Sequence, residues 1–122
     1  MPLLARVWLA VGWAGITLLL YLSLTPRMPF EIPVKHGDKY GHSLAYAVLA
    51  FWWTQLPLPR HRVAFALVAL GVAIEFVQGW TGRSFDYFDM LANIQGVASG
   101  VGVAAVLPNP LLFLERRFKK DD

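Results

Sequence analysis

Four runs of apolar residues alternate with short polar stretches along the chain. The first runs from about Leu4 to Leu24 and stops at Thr25-Pro26, where proline can no longer continue a helix. The second runs from about Gly41 to Leu56 and is closed by Pro57 and Pro59. The third runs from about Val63 to Gly79, and the fourth from about Met90 to Leu107, closed by Pro108-Asn109-Pro110. A helix crossing a bilayer needs about 20 mainly apolar residues. The second run falls short of that length unless its helix starts near Asp38, which puts charge in its first turn. Between the runs, the pattern predicts polar loops over 25–40 and 80–89 and a tight turn over 57–62. After Pro110, four apolar residues from Leu111 to Leu114 precede Glu115, Arg116, Arg117, Lys119 and Lys120, which predicts a short interfacial helix with a basic tail. The expected fold is all-α: an integral membrane bundle of four transmembrane helices with a short interfacial C-terminal helix, in one domain over 1–122.

Composition decides the solvent. Of 122 residues, 57 % are hydrophobic and 16 % charged, too little polar surface to clothe a soluble domain over these runs, so lipid must be part of the environment. The absence of cysteine excludes disulfides and thiolate metal sites. The net charge of +3 is too small and too scattered to argue for nucleic acid. Arg6 precedes an apolar stretch, Val7 to Leu24, that is long enough to span and has no small-x-small cleavage site, so a retained helix is expected rather than a signal peptide. With four spans, one side holds Arg6, Arg60, Arg62, Arg116, Arg117, Lys119 and Lys120, and the other Arg27, Lys35, Lys39 and Arg83. That bias places both termini in the cytoplasm and the two longer loops outside.

The polar residues within the runs fall at similar depth. Asp38, His42 and Tyr46 recur at i, i+4 and i+8, with Lys39 beside them. Glu75 and Gln78 lie near the outer end of the third helix, followed by Arg83, Asp86 and Asp89. Asp89 and Asn93 are i, i+4 neighbours at the outer end of the fourth, continued by the small-residue face Gly96-x-x-x-Gly100. Glu75 is the least at home: about 18 Å up a core of about 30 Å, a lone carboxylate costs about 2.5 kcal/mol or more. It should face the bundle interior and find a partner or a proton.

In its order and spacings, the set Asp38-Lys39-x-x-His42-x-x-x-Tyr46, Glu75-x-x-Gln78 and Arg83-x-x-Asp86-x-x-Asp89-x-x-x-Asn93-x-x-Gly96-x-x-x-Gly100 resembles the VanZ-like family. The Ser23-x-x-Pro26 end of the first run fits as well, so the likeness covers about residues 20 to 105. The resemblance implies a compact, multi-pass protein of the bacterial cytoplasmic (inner) membrane, and a link to glycopeptide (teicoplanin) resistance through the member that gives the family its name. Gln95 departs from the pattern, where the family usually has an apolar residue.

Three functional readings stand open at this point. In the first, the outer cluster binds or handles a lipid or peptidoglycan-precursor headgroup. Lys39 and Arg83 would pair with phosphate, and Glu75, Asp86 and Asp89 would orient those cations or bind hydroxyls or a metal, with Asp38, Tyr46, Gln78 and Asn93 lining the site. In the second, the protein is a membrane hydrolase or transferase. His42, oriented by Asp38, would act as a base, or His42, Glu75, Asp86 and Asp89 would hold a divalent cation, Mg²⁺ or Mn²⁺ rather than zinc. In the third, the protein is structural or partner-binding, and His42, Glu75, Gln78, Arg83 and Asn93 are interhelical glue. A homo-oligomer is compatible with the glycine face. His36 and His61 read as solvated loop residues, and Trp52, Trp53 and Trp80 as interface anchors.

Overall fold

The structure, a computed structural model, describes residues 2–25, 37–80 and 87–120, the side chains of 37–39 and 119–120 apart. Among the described residues the fold is helical throughout: α1 (Leu3–Leu24), α2 (Gly37–Trp53), α3 (Arg60–Trp80), α4 (Tyr87–Val106) and α5 (Pro110–Lys120). α1, α3 and α4 are each long and apolar enough to cross a membrane, consistent with a multi-pass membrane protein.

Proline and short side chains set the boundaries. Thr25 caps α1 with extended backbone, as the residue before a proline must. α2 starts at Gly37, the early start its length required, and ends at Trp53. Its last carbonyls are taken up locally: Thr54 Oγ1 donates to Ala50 O at 2.8 Å and Gln55 Nε2 to Phe51 O at 2.7 Å. That matters where water is scarce, because helix-end carbonyls have no partner within the helix. Arg60, His61 and Arg62 form the first turn of α3 rather than a loop, held by Arg62 and Val63 N–H groups on Pro59 O. α4 starts at Tyr87, so Asp89 lies in its first turn, where a carboxylate suits the helix dipole. Pro110 opens α5 behind Asn109, whose Oδ1 accepts from Leu112 N at 3.1 Å.

Contacts fix the directions. α2 and α4 run parallel and form the closest pair: a Cβ on Gly96 would strike the Ser43 carbonyl, and one on Gly100 the Ala47 carbonyl. The Gly96-x-x-x-Gly100 face is therefore the seam itself, with backbone against backbone. Between the two ends lies an apolar core of Leu19, Leu49, Ala50, Val63, Leu67 and Val97. A second cluster at the α5 end joins Trp8, Leu56 and Leu111. Trp52 belongs to this end as a packing residue, its ring stacked on Trp8 at 3.6 Å, whereas Trp80 is 83 % exposed.

The outside of the bundle is apolar. Val7, Val11, Leu18, Phe65, Phe76, Leu91 and Val103 are among many large hydrophobics left exposed. The inside holds Ser23, Tyr46, Glu75, Gln78 and Asn93, all buried. A soluble protein distributes these classes the other way round.

Candidate functional site

Apart from Thr54 and Gln55, which turn back onto the last carbonyls of α2, the buried polar residues collect at the end of the bundle where α1 and α3 finish and α2 and α4 begin. Tyr46 comes from α2, Glu75 and Gln78 from α3, and Asn93 from α4; each is at most 3 % exposed. Helical spacing explains the choice of face. Gly71, Glu75 and Gln78 follow one another at i, i+4 and i+7 along α3, all buried. Asn93, Gly96, Val97 and Gly100 do the same along α4. Each polar group thus rides on the stripe that its helix already buries for packing.

Gly71 holds the centre of the arrangement. A Cβ there would stand 3.2 Å from Asn93 Nδ2 and 3.3 Å from Tyr46 Oη, so three helices converge on a spot kept open by a missing side chain. Tyr46 lies within electrostatic reach of the Glu75 carboxylate one turn along. Gln78 Nε2 donates to Ser23 O at 2.7 Å, a buried tie from α3 to the last turn of α1. Asn93 Oδ1 is buried and has no hydrogen-bond partner among the described residues. His42 and Asp89, one turn nearer the helix starts than Tyr46 and Asn93, are half-buried and form the rim.

Of the residues expected at this site, the structure brings together Tyr46, Glu75, Gln78 and Asn93, with His42 and Asp89 above them. The side chains of Asp38 and Lys39, and all of Arg83 and Asp86, lie outside the described residues. Among the described residues no three His, Asp or Glu side chains group as metal ligands. Gly71 is hard to find from sequence because it sits in an unbroken apolar run; its signal is the i, i+4 spacing to Glu75. Gln95, the departure from the VanZ-like pattern, accepts a hydrogen bond from Ser43 Oγ and donates to Ser99 Oγ at 3.0 Å, which adds a polar clasp across the α2–α4 seam on its exposed side. The opposite end is unlike this one: Arg6, Arg60, Arg62, Arg116 and Arg117 all lie there, exposed.

Comparison with known proteins adds one relative. The chain is 32 % identical over 108 residues to Uncharacterized protein C11E3.10 of Schizosaccharomyces pombe, an alignment that takes in 82 % of this chain. The chain spans 60 % of that relative's length. No protein-family model matches the chain, and no solved structure matches it.

Proposed function

We propose that the chain is a VanZ-like, four-span protein of the bacterial cytoplasmic membrane, with both termini and α5 in the cytoplasm. At the outer leaflet, its polar end binds a lipid or cell-envelope-precursor headgroup. The observation that carries this reading is the gathering of Tyr46, Glu75, Gln78 and Asn93 from three helices at one end of a bundle with an apolar exterior. Buried polar groups inside a membrane are retained at a free-energy cost, and a cost concentrated at one depth points to a ligand there. The exposed arginines at the other end support the orientation, since basic residues favour the cytoplasmic side.

α2 supplies the fourth span in this reading. Its 17 residues rise roughly 25 Å, a little under the hydrocarbon thickness. It runs parallel to α4 along the glycine seam, so it lies at the depth of a helix that is long enough to cross. A peptidoglycan-precursor headgroup would connect the site to the glycopeptide resistance that the resemblance implies.

Native mass spectrometry of the protein in mild detergent tests the reading, wild type beside Glu75→Gln. A phospholipid or polyprenyl-phosphate species should stay with the wild type and be lost from the variant. Wild-type protein that carries no lipid species would overturn the assignment.

A further inference from the structure

The described polar groups at the site end differ in what they have left to offer. The Gln78 amide already donates to Ser23 O at 2.7 Å. Glu75 brings a carboxylate, and Asp89 brings another whose Oδ1 is buried. Asn93 Oδ1 is an acceptor with no partner among the described residues, on a side chain only 3 % exposed. A buried carbonyl without a donor is strongly unfavourable in a low-dielectric interior, so a residue kept in that state marks a place for a donor. The amide end of Asn93 lies beside Gly71, where a Cβ would stand 3.2 Å from Nδ2, so the absent side chain is what leaves room for Asn93 at this spot.

We propose that Asn93 Oδ1 receives a hydrogen bond from a donor carried beside the phosphate of a lipid headgroup, an ammonium or a hydroxyl. The inference rests on the headgroup reading above and narrows its ligand class. The acceptor Asn93 Oδ1 suits the donor end of such a head. A quaternary ammonium head has the same charge as a primary one but no N–H, and leaves Asn93 unanswered.

The test uses full-length protein and native mass spectrometry, with phosphatidylethanolamine, phosphatidylglycerol and phosphatidylcholine of identical acyl chains offered in equal amounts. Ethanolamine or glycerol lipid, or both, should be retained about tenfold over choline lipid, the scale of one hydrogen bond to a buried acceptor. Retention of the first alone assigns the ammonium, and of the second alone the hydroxyl. In Asn93→Leu the preference should vanish; the wild-type comparison stands by itself should that variant fail to fold. Equal retention of all three by wild type, or a preference that survives in folded Asn93→Leu, overturns the proposal and leaves the headgroup reading intact. Retention of none overturns both.

Discussion

Trp8 and Trp52 each donate the indole N–H to the other's backbone carbonyl, at 2.9 and 2.8 Å, across rings stacked 3.6 Å apart. The pair joins the first turns of α1 to the last turn of α2. Because each bond runs from side chain to backbone, replacing one tryptophan leaves the other's donor satisfied. Trp8→Phe and Trp52→Phe should each lower stability by about 1 kcal/mol, the loss of one hydrogen bond. The Ala pair should show coupling of about 1 kcal/mol from the lost stack. A double-mutant cycle on melting in detergent reads both; coupling of zero for the Ala pair would remove the stack from the account.

The glycines of α4 should divide sharply. Gly96→Ala places a methyl into the Ser43 carbonyl, which only a shift of the α2 backbone can relieve. It should destabilise by about 2 kcal/mol or more. At Gly102 a methyl would meet nothing within 4 Å, so Gly102→Ala should be neutral or slightly stabilising through helix propensity. Similar melting temperatures for the two variants would show that α2 and α4 do not meet along this seam.

Gln78→Leu removes the tie to Ser23 O and should cost about 1 kcal/mol, within the range for interhelical hydrogen bonds in membranes. Amide exchange should rise first in the last turn of α1. Uniform exchange along α1 in the variant would contradict the bond.

α5 is held by Asn109, which caps it through Leu112 N and links it to the turn after α2 through Nδ2 on Gln55 O at 3.0 Å, and by Leu111, 2 % exposed against Trp8 and Leu56. Asn109→Ala should weaken the docking by about 1 to 2 kcal/mol, a lost cap plus a lost link. The expected signature is faster proteolysis after Arg116 with little change in global melting. Unchanged cleavage would mean that Leu111 alone suffices.

Reporter fusions after Arg62 and after Lys120 should both report a cytoplasmic location. An outward signal from either would place the polar end at the inner leaflet and overturn the headgroup reading's choice of side.

Much of this protein is legible in one dimension. Apolar runs bounded by Pro26, Pro57 and Pro108 define segments because proline stops a helix wherever it falls, without reference to any neighbour. The i, i+4 spacing of Asp89 and Asn93, and of His42 and Tyr46, sets each pair on one helix face by local geometry alone. The charged first turns of α2, α3 and α4 are harder to place, because hydropathy ends a run at the first charge while backbone hydrogen bonding carries the helix further.

What tertiary structure alone decided are the relations between helices. Nothing in the sequence says that Gly71 faces Tyr46 and Asn93, that Gly96 meets the Ser43 carbonyl, or that Trp52 pairs with Trp8 instead of anchoring at an interface. Those pairings depend on which helix runs beside which, and in which direction. That outcome is set by the summed packing of every helix face in three dimensions, whereas segment and face follow from residues a few positions apart.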